Sequence, residues 1–84
     1  MKIIVQLKNP QGLHMRPCSA LVNLSKQFDA EIFVHKNGNK AKTDSILDLL
    51  SLGVPQGAVE IEATGKDAEK ALNAVEKFCA EFEL

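Results

Sequence analysis

The chain has 84 residues, a formal net charge of −1 and 45% hydrophobic residues. That length holds one domain, here taken as 1–84, with no room for separate cofactor and substrate domains. The near-equal balance of Lys+Arg 10 and Asp+Glu 11 removes any net attraction to nucleic acid or to anionic membrane. Cys18 and Cys79 form neither a disulfide framework nor a CxxC pair, and read as reduced, buried cysteines of a cytoplasmic protein. No apolar run reaches the roughly 18 residues a bilayer span needs, so membrane insertion is not expected.

In chain order, Ile3, Val5 and Leu7 alternate with polar neighbours, apart from the extra apolar Ile4, and predict a first strand. Asn9-Pro10-Gln11-Gly12 has turn chemistry. From Met15 the period becomes helical, with Cys18, Leu21, Val22, Ser25 and Phe28 on one face. Pro17 is well placed in the first turn, where an amide hydrogen has no partner to lose. Glu31 to Lys36 is rich in β-formers and predicts a second strand. Asn37-Gly38 signals a hairpin, with a third strand at Lys40 to Thr43. Ser45 and Asp48 have capping-box spacing, Ser45 capping an amide and Asp48 reaching back. That helix should run to Leu52 and stop at Gly53. Val59, Ile61 and Ala63 alternate with Glu60, Glu62 and Thr64, giving a fourth strand. Asp67 should cap a last helix whose buried stripe is Ala68, Ala71, Leu72, Val75, Phe78, Cys79 and Phe82. The fold class is therefore α+β, in the order βαββαβα. A four-stranded, mainly antiparallel sheet carries three helices on one face, an open-faced sandwich.

The chemistry concentrates in Gly12-Leu13-His14-Met15-Arg16-Pro17. His14 falls at a helix start, where free amides and the helix dipole favour an anion. Arg16 brings a guanidinium suited to phosphate oxygens, and Gly12 permits a tight backbone approach. The positive helix end disfavours a protonated imidazole, leaving a neutral ring that can act as a nucleophile near pH 7. A histidine with an anion cradle and no local base suits reversible transfer better than hydrolysis. The plainer alternative is that His14 only caps the helix and Arg16 is a solvated charge. Cys18 lies one turn from His14, but two ligands do not make a metal site. The helix from Ser45 carries Ile46, Leu47, Leu49, Leu50 and Leu52, more apolar residues than one buried stripe needs. Leu47 is the best candidate for exposure, and exposed apolar residues beside a site suit docking. His35 reads as an exposed strand residue. The near-neutral charge, and four Phe with no Tyr or Trp, argue against a nucleic-acid binder.

The motif Gly12-Leu13-His14-x-Arg16-Pro17, after a first strand and opening a helix, resembles the active-site motif of HPr. HPr is the histidine-containing phosphocarrier of the phosphoenolpyruvate-dependent sugar phosphotransferase system. The resemblance extends through Asn37-Gly38, Ser45-Ile46, Ser51-Leu52-Gly53-Val54, Gln56-Gly57 and Ala71-Leu72-Asn73-Ala74, essentially the whole chain. It implies a monomeric carrier that needs no cofactor or metal and is not itself an enzyme. His14 would be phosphorylated on Nδ1 by enzyme I and would pass the group to IIA domains. Arg16 would stabilise the phosphohistidine, with Gly12 and Pro17 shaping the cradle. Met15, Ile46, Leu47 and Leu50 would meet partner proteins. Ser45 matches the serine modified in some bacteria by an ATP-dependent HPr kinase/phosphorylase, which brings transcriptional regulators into the partner set. The alternative implied is an HPr-like regulatory module controlled at Ser45 without a transport role. The sequence departs from the usual family pattern at Met15 and Cys18, where small residues are common, and at Asp44, where lysine is frequent. Asp44 and Asp48 would repel a phosphate on Ser45, which leaves a plain helix cap as the competing reading. These carboxylates also resemble the nitrogen-related branch of the family.

Overall fold

A computed structural model of the chain describes residues 1–9, 15–53 and 57–81. The elements are β1 (Lys2–Leu7), α1 (Met15–Ser25), β2 (Glu31–Lys36), β3 (Asn39–Lys42), α2 (Ile46–Leu52), β4 (Gly57–Thr64) and α3 (Ala68–Glu81). This is the βαββαβα order expected from the hydrophobic periods. The strands form one antiparallel sheet in the order β1-β4-β2-β3. The last strand in sequence thus lies between the first two, with Lys2 opposite Glu62, Val5 opposite Val59, and Val34 opposite Ile61.

Alternation along the strands fixes the two faces of the sheet. Val5, Leu7, Ile32, Val34, Ala41, Val59, Ile61 and Ala63 point inward and are buried. Cys18 and Leu21 of α1 meet them, as do Leu49 of α2 and the α3 stripe Ala68, Ala71, Leu72, Val75, Phe78 and Cys79. Phe82, expected to extend that stripe, lies outside the described residues. Asp67 precedes α3, and its carbonyl accepts the Ala71 amide at 2.8 Å. Its carboxylate accepts the Asp29 amide at 2.9 Å, tying the start of α3 to the connection between α1 and β2. A buried polar link joins α1 to the end of the hairpin. The Ser25 hydroxyl donates to the Leu21 carbonyl at 2.8 Å and lies 2.6 Å from the Thr43 hydroxyl.

The Asn37-Gly38 turn has positive φ at both residues, 54° and 82°, as a two-residue hairpin of this handedness requires. Because the turn holds only two residues, Asn39 pairs with Lys36 and β3 begins one position earlier than expected. It also ends one position earlier: the Thr43 amide still reaches the Ile32 carbonyl at 2.9 Å, but the chain then turns toward α2.

The capping box forms in one direction only. Ser45 Oγ accepts the Asp48 amide at 3.3 Å. The Ser45 amide donates to the Lys42 carbonyl at 3.1 Å, so Asp48 is not its partner. The tight exit from β3 presents that carbonyl before the helix side chain can reach back. Gly53 ends α2 in the left-handed region, its amide donating to the Leu50 carbonyl.

Candidate functional site

The end of the sheet that matters is defined by connectivity. β1 stops at Leu7, opposite Gly57, the first residue of β4. β2 ends in the Asn37-Gly38 turn at the same end. The chain leaves β1 there, and it enters β2 at Glu31, opposite Thr64, at the other end of the sheet. α1 therefore begins on the Leu7–Gly57 side and runs back. Gly12 and His14 lie outside the described residues, and α1 opens at Met15, directly after His14.

The first turn of α1 holds no acidic side chain. Its early amides have no acceptor within the helix, and no carboxylate there offsets their positive end. Arg16 is exposed and Pro17 is buried against the core side of the turn. Proline supplies a fixed φ and lacks only an N–H that the first turn cannot use. Cys18 is fully buried, and desolvation pushes its thiol pKa up. It belongs to the core and is poorly suited to act as a thiolate. Among the described residues no three His, Cys, Asp or Glu side chains converge on a metal position.

The α2 residues divide by face. Leu49 is fully buried, Ile46, Leu50 and Leu52 are half-buried, and Leu47 is 74% exposed. Ser45 is half-buried with its oxygen occupied as the cap. Asp44 is exposed, with Lys42 Nζ 3.6 Å away. Thr43, two residues before the cap, touches Ser25 in the last turn of α1. That turn lies about 15 Å along the 11-residue helix from Met15. The start of α2 is thus moored to the far end of α1, while its Gly53 end leads toward Gly57. The cap and the start of α1 are not brought together by these contacts.

His35 is half-buried, whereas its strand position alone suggested exposure. It stands on the outer sheet face, with Nε2 2.8 Å from the Glu62 carboxylate of β4. The hydrogen bond from His35 is the main reason the Glu62 carboxyl lies below its ordinary value. Lys2 and Glu60 form a second cross-strand pair at 3.2 Å, and Lys40 sits 4.9 Å above the Phe33 ring. Nothing in the local sequence marked these partners, because each lies on a different strand.

Residues 1–81 match the protein family described as the PTS HPr component phosphorylation site. The chain belongs to the HPr family. It is 40% identical over 76 residues to the phosphocarrier protein HPr of Mycoplasma pneumoniae, covering 88% of this chain and 86% of the relative. It is 39% identical over 77 residues to the phosphocarrier protein NPr of Escherichia coli K12, covering 89% and 86%. Among solved structures, the histidine-containing phosphocarrier protein of a mycoplasma superposes with a TM-score of 0.95 at 26% identity. The coverage is 100% of this chain and 97% of that one. This HPr-family chain is accordingly a phosphocarrier of the phosphotransferase system, a protein that carries phosphate rather than an enzyme. None of its helices is long and apolar enough to cross a membrane among the described residues.

Proposed function

We propose that His14 is the residue that carries the phosphoryl group, accepting it from enzyme I and delivering it to IIA domains. The observation that carries this reading is the family match over residues 1–81, which includes Gly12-Leu13-His14-Met15-Arg16-Pro17 at the start of α1. The neutral His14 Nδ1 attacks phosphorus as the bond to the donor histidine breaks, and the donor ring keeps that electron pair. Delivery reverses the roles, with His14 as the leaving group. Little covalent work falls to the carrier, so positioning and charge decide the rate. The free amides of the first turn and Arg16 supply positive charge, Gly12 admits the phosphoryl group closely, and Pro17 sets the turn.

Met15, Ile46, Leu47 and Leu50 form the docking contacts. The 74% exposure of Leu47 supports this reading, since a large apolar residue held in water invites a partner. The carrier works as a monomer in the cytoplasm, where the free buried cysteines Cys18 and Cys79 stay reduced. The regulatory reading at Ser45, through a kinase/phosphorylase and transcriptional regulators, has less support. Its oxygen already accepts the Asp48 amide, and the Asp44 and Asp48 carboxylates would oppose an added phosphate.

Incubation with enzyme I and phosphoenolpyruvate should give an acid-labile, base-stable label, and His14→Ala should abolish it. A label that persists in His14→Ala overturns the site. Label from ATP at Ser45, with none from phosphoenolpyruvate, overturns the carrier reading in favour of the regulatory one.

A further inference from the structure

At the end of the sheet away from the start of α1, a cavity of about 130 Å³ lies between the last turn of α1, β2 and the chain that leads from β3 to α2. Two of its lining residues are polar and almost fully buried, Ser25 at 6% and Thr43 at 1% exposure. Ser25 has one hydroxyl hydrogen, and the Leu21 carbonyl takes it at 2.8 Å. The 2.6 Å contact between the two hydroxyls then uses the hydrogen of Thr43. Both oxygens can accept from a visitor, and neither can donate to it. Ser25 is also the last residue of α1, whose final turn carries no basic side chain. The negative end of that helix favours a donor that is itself cationic.

The rest of the lining has two characters. Phe28, Ala30 and Ile32 supply an apolar wall. Lys26, Lys42 and Asp44 bring two ammonium groups and one carboxylate, with Lys42 Nζ 3.6 Å from the Asp44 carboxylate. Lys26 and Asp44 are exposed and Lys42 is half-buried, so these charges belong to the mouth. Asp29 and Glu31, close by in sequence, line a neighbouring groove instead.

Size and charge together restrict the visitor. A dry cavity of about 150 Å³ takes up benzene, so this one has room for roughly six non-hydrogen atoms. A simple anion would meet the lysines but also Asp44 and two hydroxyls that cannot donate. A simple cation would satisfy those acceptors but meet two lysines. A small zwitterion answers both.

We propose that this cavity binds a short aliphatic α-amino acid in its zwitterionic form. The ammonium donates toward Ser25, Thr43 and Asp44, and the carboxylate meets Lys26 and Lys42. The side chain lies against Phe28, Ala30 and Ile32. Bound there, the amino acid braces the link between the end of α1 and the approach to α2. The site does not depend on the role of His14.

The test uses L-alanine as the probe, titrated at neutral pH into the isotope-labelled protein and followed by amide NMR. Propionate, which lacks the ammonium, and ethylamine, which lacks the carboxylate, are titrated in parallel. The amides of Ser25, Ala30 and Thr43 should shift saturably, with half-effect at about 1–10 mM alanine. Each control should bind about tenfold more weakly or worse. Lys26→Gln, at an exposed position, should keep the urea midpoint of wild type. It should weaken alanine binding by about two- to fivefold at low salt and by less at about 0.5 M salt. Thr43→Val keeps the shape and removes an acceptor, and should weaken binding by about threefold or more. No saturable shift up to about 100 mM alanine overturns the proposal. So does propionate or ethylamine binding as tightly as alanine, or full affinity retained in either variant.

Discussion

The buried hydroxyl pair between α1 and the end of β3 gives an asymmetric prediction. Ser25 Oγ has one hydrogen, and the 2.8 Å contact to the Leu21 carbonyl uses it. Thr43 must therefore be the donor in the 2.6 Å contact, with Ser25 accepting. Thr43 is only 1% exposed. In Ser25→Ala the Thr43 hydroxyl loses its acceptor inside the protein, which costs about 1–3 kcal/mol. The Leu21 carbonyl still accepts within the helix and loses little. In Thr43→Val the Ser25 hydroxyl keeps its own donor bond and loses only an incoming one, a cost nearer 1 kcal/mol or below. Ser25 and Thr43 both line a cavity of about 130 Å³, and a water entering it that reached the Thr43 hydroxyl would take up part of the Ser25→Ala penalty. The effect should then fall in the lower half of its range. For a domain of this size, that is a loss of roughly 4–15 °C in Tm. Removing both hydroxyls leaves no orphan, so Ser25→Ala/Thr43→Val should be no less stable than Ser25→Ala alone. Urea titration of the four proteins, read as a double-mutant cycle, measures this directly. Equal single costs that add in the double variant would refute the assignment of donor and acceptor.

Three further outcomes are expected. Glu62 has its carboxyl held down, first by the His35 hydrogen bond, so its contribution to stability is present above the ordinary value of 4.5 and is lost as pH falls through the lower folded value. Urea midpoints measured from pH 6 down to 3 should fall less in Glu62→Gln than in wild type; parallel curves would contradict the pairing. Burial pushes the Cys18 thiol up and the Cys79 thiol to about 11, so a disulfide reagent at pH 8 should titrate both rapidly in urea and neither rapidly in the native protein. Gly65 has φ +117°, and a Cβ there would lie 3.0 Å from both the Ala30 Cα and the Asp29 carbonyl oxygen. Gly65→Ala should therefore lower the thermal midpoint by several degrees, whereas the same change at the open, exposed Gly38 should cost less than at Gly65.

What could be read from the sequence was set by how local its cause is. The Asn37-Gly38 turn, the Gly53 stop and the period-2 strand of Val59, Ile61 and Ala63 are written in neighbouring residues, and the structure reproduces them. The α3 stripe was legible for the same reason, since burial every three or four residues is a property of one helix. The reciprocal half of the cap at Ser45 failed because the Lys42 carbonyl, supplied by an adjacent element, reached the amide first. The placement of β4 between β1 and β2, the Ser25–Thr43 contact and the His35–Glu62 contact join residues 18 or more apart. No local pattern encodes them. At the candidate site, the start of α1 at Met15 followed from the pattern of Gly12 to Pro17.

The central place of β4 has a consequence for how the chain is made. Lys2 pairs with Glu62 across 60 residues, and the other partners of β1 lie in the same late strand. On a ribosome emitting residues at a finite rate, the first strand synthesised waits longest for its neighbour. The β2–β3 hairpin, closed by a two-residue turn, can form early and alone. Until β4 emerges, Ile3, Val5 and Leu7 have no ladder to join. The bases of the message that encode Gly57 to Thr64 thus time the closure of the whole sheet, and slow codons just before them would prolong the period in which an unpaired, apolar leading strand is open to aggregation.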